Sequence, residues 1–436
     1  MKNNLNSTSL AALSALLLFS LPLVARAQTL INGANQAGTI YTNTTDSYTF
    51  TANKGDTINV RLGTTNFDGY LRLYGPDGAL LKYVPTAPGY ASADQLITYA
   101  PTNSGTFTVL VSSYFAGGTG TYVLNLSQIP EPFIVPAGDG GGTLTNGANA
   151  AGTITLGRQD LWSFTANSGD SINVRLGTTN FDGYLELYGP NGALLKYVPT
   201  APGYEGPDQL ISAYTATNSG TFTVLVSSYA AGGTGRYVLN LSQMPEPFIV
   251  PVGDAGGAMT GSPSYAGTIT LGDQDLFSFT ACTGDSINLQ LNTTNFDGYL
   301  ELYGPNGALL KYVPTAPGFE GPVQLIAYKA TNCGTFTVLV SSYVAGGTGT
   351  YGLTANKLVY ELRECPPGIS GTNFTFNLVG GNTNANAGFV LYSTTNVATP
   401  FGLWTPVLTN QFDQFGVFGY TNNPAQPQQF FRFLVP

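Results

Sequence analysis

The chain has 436 residues, of which 9% are charged and none is histidine, and its 24 acidic against 15 basic side chains give a net charge of −9. That balance argues against nucleic acid and anionic lipid as partners, since both need clustered Lys and Arg, and the 43% apolar content is enough to fill several cores and excludes a disordered chain. Without histidine there is no Ser-His-Asp or Cys-His catalysis, no zinc site built on His and no ordinary general base at neutral pH.

In chain order, Lys2 precedes an apolar run over residues 10–24 that closes in Ala25-Arg26-Ala27. This pattern predicts a secretory signal peptide over residues 1–27, because the run is shorter than the roughly 20 residues a membrane-spanning helix needs. Removing Lys2 and Arg26 takes the 15 basic side chains to 13 against 24 acidic ones, a net charge of −11. No later stretch is long and apolar enough to span a membrane, so the mature chain is expected to lie outside the cell, released or held at the surface.

Residues 180–210 recur almost letter for letter from Asn295, and a close copy starts at Asn66; the anchors Asn66, Asn180 and Asn295 stand 114 and 115 residues apart. That period suits a small domain rather than a solenoid unit. Within the first copy, Tyr48 and Phe50 alternate with polar residues, residues 57–62 alternate again, and residues 70–74 lead through Gly75-Pro76-Asp77-Gly78 into residues 79–84. Pro presets φ in that turn and Gly takes the positive φ at its end, which predicts a hairpin. Strands over residues 95–99, 106–112 and 121–126 follow, separated by Thr102-Asn103-Ser104-Gly105 and Gly117-Gly118-Thr119-Gly120. About eight short strands with no helical periodicity predict an all-β fold, an antiparallel jelly-roll sandwich in each repeat.

The expected division is repeat 1 over residues 28–128, a linker over 129–147, repeat 2 over 148–243, a linker over 244–262, repeat 3 over 263–362, and a smaller C-terminal β module over 363–436. Both linkers read Pro-Glu-Pro-Phe-Ile-Val-Pro followed by glycines, from Pro130 and from Pro245. Prolines hold such a segment extended and glycines let it bend, so beads on a jointed rod are expected. In the tail, strands are expected over residues 374–378, 388–392, 404–408 and 430–434.

Taken in order, Gly152-Thr153-Ile154, Asp160-Leu161-Trp162-Ser163-Phe164, Gly169-Asp170-Ser171-Ile172, Pro190-Asn191-Gly192, Ser219-Gly220-Thr221-Phe222 and Gly235-Arg236-Tyr237 resemble the bacterial pre-peptidase C-terminal domain. The likeness runs end to end through each repeat. It implies a non-catalytic jelly-roll sandwich appended to secreted enzymes and similar to the collagen-binding domains of bacterial collagenases. The family often carries an acidic pair after the hairpin, where this chain has Tyr197-Val198-Pro199-Thr200-Ala201-Pro202. The tail, with Trp404-Thr405-Pro406 and Gln429-Phe430-Phe431-Arg432, is similar to a small C-terminal β module of repetitive secreted proteins of environmental Gram-negative bacteria.

Acidic residues recur at equal places, as in Asp46, Asp160 and Asp275, which suits a structural role better than an active site used once. Asp68, Asp182 and Asp297 lie between Asn-Phe and Gly-Tyr, where they read either as calcium ligands or as turn residues bonding their own backbone. No other cofactor is expected. Of the aromatics, Tyr74, Tyr188 and Tyr303 are expected inside, and Tyr90, Tyr204 and Phe319 in the Pro-rich loop are the candidate ligand contacts, able to stack on sugars or press on a protein polymer. Cys282 and Cys333 replace Asn167 and Ser219 of the sister repeat, and the pair predicts a disulfide between adjacent turns, with Cys365 left over. The functional expectation is a secreted, non-catalytic adhesive or polysaccharide- or protein-polymer-binding protein. The alternatives are a structural spacer or surface-layer component whose faces bind other copies, and an unrecognised polysaccharide hydrolase using paired carboxylates.

Overall fold

The computed structural model describes residues 28–87, 92–199, 206–259, 264–314, 321–358, 363–364, 368–370, 373–379, 388–413, 417–422 and 429–434. The segment read as a signal peptide, Tyr90, Tyr204, Phe319 and Cys365 lie outside them. The first repeat has nine strands: β1 (Gln28–Thr29), β2 (Asn35–Ile40), β3 (Thr45–Ala52), β4 (Thr57–Thr64), β5 (Gly69–Tyr74), β6 (Leu80–Val84), β7 (Asp94–Tyr99), β8 (Gly105–Ser113) and β9 (Gly120–Ile129). They form a five-stranded sheet in the order β1-β3-β8-β5-β6 and a four-stranded sheet in the order β2-β9-β4-β7. Every pairing in the two sheets is antiparallel except that of β1 with β3, which is parallel and had no counterpart in the expected strands.

Alternation decides which residues face which way. From β4, Ile58, Val60 and Leu62 point inward and meet Phe50, Leu71, Leu73, Phe107, Val109 and Val111 of the opposing sheet in one buried cluster. The Gly75-to-Gly78 turn closes as predicted, with the Gly75 N–H donating to the Ala79 carbonyl at 2.9 Å and Gly78 at φ +77°. Repeats 2 and 3 build the same two sheets in the same order, each around its own core. Repeat 2 has one extra residue in the strand Asp208–Thr215. Ala213 there adopts φ +46°, and its N–H is taken up by the Asn173 Oδ1 at 2.6 Å.

The recurring aspartates at the sandwich edge each hold a tyrosine of the opposite sheet. Tyr122, Tyr237 and Tyr351 donate their hydroxyls to Asp46, Asp160 and Asp275 at 2.6, 2.6 and 2.5 Å. Gly152 sits under this contact, where a Cβ would come within 2.3 Å of the Tyr237 hydroxyl oxygen.

The linkers are not joints that bend freely, as their Pro and Gly content led us to expect. In the first, the Asn32 side-chain amide donates to the carbonyls of Gln128, Glu131 and Pro132 at 2.7, 3.0 and 3.1 Å, and the Ile134 N–H returns to the Asn32 carbonyl at 3.0 Å. Asn146 repeats the clamp on the second linker, reaching Gln243, Glu246 and Pro247 at 2.7, 3.1 and 3.1 Å. Asn53 and Asn167 hold Glu131 and Glu246, each at 2.8 Å. Proline removes donors from these segments, but their carbonyls are left free to accept, and fixed asparagines occupy them.

Consecutive repeats are also packed together. Tyr188 and Tyr303 are fully buried, as expected, yet not in their own sandwich cores. Tyr188 lies with Ile129, Leu161 and Leu225 between repeats 1 and 2, and Tyr303 with Met244, Leu276 and Leu339 between repeats 2 and 3. Tyr74, with no repeat before it, is only half-buried.

The expected Cys282–Cys333 disulfide is not formed, because Cys333 is a free thiol. Its Sγ accepts the Thr283 N–H at 3.4 Å, where Ser104 and Ser219 accept the N–H groups of Lys54 and Ser168 at 2.8 and 2.9 Å. Cys333 therefore does the serine's work between two turns. Cys282 lies 1% exposed at the place of the linker-holding Asn53 and Asn167, in the one repeat that is not followed by a Pro-Glu-Pro linker.

The tail has strands at the four places its sequence suggests, Asn373–Val379, Gly388–Thr394, Thr405–Gln411 and Phe430–Leu434, and, among the described residues, three more that were not expected, Arg363–Glu364, Gly368–Ser370 and Val417–Asn422. Asn373–Val379 pairs with Val417–Asn422, Arg363–Glu364 and Gly368–Ser370, and Gly388–Thr394 is flanked by Thr405–Gln411 and Phe430–Leu434. Phe389, Leu391 and Phe412 form its buried centre.

Candidate functional site

Each repeat places three tyrosines together on the outer side of its hairpin sheet. In repeat 2, Tyr184 lies between Tyr197 and Tyr229, with ring centroids 6.2 and 5.8 Å away. Tyr299 holds Tyr312 and Tyr343 at 6.2 and 5.8 Å, and Tyr70 holds Tyr83 and Tyr114 at 6.2 and 5.6 Å. The strand pairs that carry them bring residues together that are distant in sequence: β5 pairs with both β6 and β8. The outermost rings, Tyr83, Tyr197 and Tyr312, are each 41% exposed, so each cluster offers one solvent-facing ring packed against the central tyrosine, which the third tyrosine holds from its other side. Burial pushes the Tyr184 and Tyr299 hydroxyls well above the ordinary tyrosine range, with Glu186 and Glu301 adding to the effect. The recurrence of Tyr70, Tyr74 and Tyr83 is visible in the sequence and offers rings able to stack where exposed, with the Pro-rich loop the better candidate for exposure; what the sequence does not show is that Tyr114 and its copies join Tyr70 and Tyr83.

The loops of Asp68, Asp182 and Asp297 show turn geometry. Asn66, Asn180 and Asn295 adopt φ of +64°, +67° and +64°, and the carbonyls of the three aspartates accept the N–H groups of Tyr114, Tyr229 and Tyr343 at 2.8, 2.9 and 2.8 Å. The three belong to separate repeats and are not brought together.

Another set of carboxylates does converge. Asp254, Asp273 and Asp275 place ligand oxygens within 4.8 Å of one another. Asp275 is pushed up to about 9, chiefly by burial, with Asp273 and Asp254 opposing its charge, and Asp273 is raised for the same reasons. The Asp275 Oδ1 is buried without a hydrogen-bond partner. Asn149 of repeat 2 donates to Asp254 and Asp273 at 3.1 and 3.2 Å. In repeat 2 the corresponding place is held by Asp139, Arg158 and Asp160, where the Arg158 guanidinium pairs with Asp139 and its charge favours the ionised form of Asp160. The change from Arg158 to Asp273 removes the resident cation, and this difference between near-identical repeats was legible in the sequence.

No catalytic arrangement emerges among the described residues. The raised carboxylates Glu186 and Glu301, each at about 7 through burial, sit inside the contacts between repeats. No helix among the described residues is long and apolar enough to cross a membrane.

Residues 44–113 and 158–228 match the family model of the bacterial pre-peptidase C-terminal domain, and the third repeat has the same strand pattern. Domains of this family are non-catalytic β-sandwich modules often found in secreted bacterial proteins. No curated protein matches the chain. Among solved structures, the crystal structure of trypsin-activated alpha-2-macroglobulin from Escherichia coli is similar at 10% identity and a TM-score of 0.11, over 86% of this chain and 28% of that one.

Proposed function

We propose that this chain, which carries bacterial pre-peptidase C-terminal domains at residues 44–113 and 158–228 and a third repeat of the same strand pattern, is an exported non-catalytic binding protein that holds an extracellular polymer. The observation that supports this reading best is the tyrosine cluster presented once per repeat, with Tyr83, Tyr197 and Tyr312 equally exposed. Tyrosine rings fixed by neighbours stack on sugar faces or on prolyl and aliphatic surface at little entropic cost. Three such rings on one docked array act together, because linked weak sites gain effective concentration without new contacts. Polysaccharide is the favoured class, since the acidic chain has few basic groups with which to hold an anionic polymer.

Calcium enters the proposal at two places, the Asp68, Asp182 and Asp297 loops and the Asp254, Asp273 and Asp275 cluster, since carboxylate oxygens suit a hard cation. The reading is tested by co-sedimentation of the full chain with insoluble polysaccharides and with collagen, in calcium and in chelator. Retention on one polymer that falls at least tenfold in the Tyr83→Ala, Tyr197→Ala, Tyr312→Ala variant supports it. Retention unaffected by the variant removes the tyrosine clusters from the reading, and no retention on any polymer favours the second reading, a spacer. That second reading is supported by the packing between repeats, which gives the array a fixed length.

A further inference from the structure

The two contacts between repeats are built alike. On the outgoing face of repeat 1, Arg61 is paired with Asp94 through two hydrogen bonds at 2.9 and 2.7 Å and donates to the Ser228 carbonyl of repeat 2 at 3.2 Å. Asp94 also accepts the Gly232 N–H of repeat 2 at 2.9 Å, and Asn59 donates to the Tyr188 hydroxyl at 3.3 Å. One repeat further on, Arg175 pairs with Asp208 at 2.9 and 2.6 Å and donates to the Ser342 carbonyl at 2.8 Å, Asp208 accepts the Gly346 N–H at 2.9 Å, and Asn173 reaches the Tyr303 hydroxyl at 2.8 Å. The backbones touch beside these bonds. A Cβ on Gly63 would come within 2.4 Å of the Gly157 nitrogen, and one on Gly177 within 2.5 Å of the Gly272 nitrogen.

The faces at the two ends of the array depart from this set. On the outgoing face of repeat 3, Gln290 stands for Arg175, Val323 for Asp208 and Asn292 for Gly177, and all three are exposed. On the incoming face of repeat 1, Asn43 stands for Gly157, Ser47 for Leu161 and Arg72 for Glu186. Asn43 and Asn292 each place a side chain where the inner joints have backbone against backbone. Arg72 stands where the inner joint has Glu186 facing Arg61, and Gln290 has lost that arginine, so the charge pairing of the inner joint has no counterpart between two chain ends; Ser47 removes an apolar member of the buried cluster.

We infer that these residues form a docking code between repeats and that its loss at both ends closes the array at three, so that copies of the chain do not add head to tail. The occupant that each inner face accepts is another repeat of this type, and the end faces reject it by volume and by lost charge pairing and apolar contact.

Two measurements on the full chain test this. The first installs the end residues in an inner joint. Gly177→Asn uses the residue that repeat 3 itself tolerates, and Leu276→Ser uses the one that repeat 1 tolerates, so each repeat keeps its fold by circular dichroism. The joint is expected to open, seen as a rise in maximum dimension by small-angle scattering and at least tenfold faster proteolysis of residues 244–252. Asn292→Gly, at the outer face, changes neither. Inner-joint variants that keep the scattering and protease resistance of the parent overturn the code. The second is sedimentation velocity of the parent chain over a hundredfold range of concentration. A single monomeric species is expected, and a concentration-dependent series of multimers lost on Arg72→Ala or Val323→Ala overturns closure.

Discussion

At the scale of single residues, glycine and buried charge decide how the repeats meet. Gly63 and Gly177 matter because another backbone approaches them, not because of their φ. Arg175 is buried with Asp208, so truncating it strands a carboxylate in a dry joint. We expect Arg175→Gln to cost about 3–5 kcal/mol, read as a lower melting temperature for the coupled repeats 2 and 3. Glu301 gives a pH dependence with a definite sign. Its folded-state value is raised from 4.5 to about 7, mainly by burial. The protonated form is the one that the fold favours, so the contribution is complete below about 4.5 and is lost as pH rises through about 7. Thermal stability of the array is expected to fall over that window, and Glu301→Gln to flatten the fall. The acidic cluster carries a separate expectation. Added calcium should raise the melting temperature of the parent by several degrees, whereas Asp273→Arg, which restores the arrangement of repeat 2, should raise it without calcium and remove the share of the response that belongs to this cluster.

At the scale of elements, the linkers show why composition misleads. Their prolines and glycines match a jointed spacer, but carbonyls left without partners in a proline-rich segment are ready acceptors, and Asn32 and Asn146 take three each. Asn146→Ala should cost about 1–3 kcal/mol and make residues 245–252 the first site of limited proteolysis, while Asn32→Ala should do the same for the first linker. The turn held by Cys333 is expected to be indifferent to chemistry of similar shape. Cys333→Ser should change stability by less than about 0.5 kcal/mol, and peptide mapping of native protein after iodoacetamide should find Cys333 alkylated.

At the scale of the whole molecule, the sandwich-on-sandwich contacts turn a string of domains into one body of set length. Repeat 2, the inner one, buries two opposite faces, and at each joint the outward residues of one repeat's strands serve as core for the neighbour. This explains why Leu225 and Leu339 are fully buried although they point away from their own sandwiches, while the matching Leu110 of repeat 1 is only half-buried. Cooperative melting of repeats 2 and 3 as a unit, with Gly177→Asn splitting the transition in two by calorimetry, is the expected thermodynamic mark of such a stack.

What the sequence determined by itself was what depends on local pattern. Period-two alternation placed the strands of the repeats, Pro-Asp-Gly and Pro-Asn-Gly placed the hairpins, the 114- and 115-residue spacing counted the repeats, and four of the seven described tail strands were legible from their aromatic and β-branched runs. The tertiary structure decided what depends on contact between distant residues. Alternation identifies two faces of a strand but not whether the outer face meets water or a neighbour, so Tyr188, Arg61 and Asp94 read as ordinary surface or core residues until the next repeat is seated on them. The same reason separates the cysteines from their expected bond: two substitutions in one repeat imply proximity, but only the placement of Thr283 between the turns shows Cys333 taking over a hydrogen bond in place of a serine.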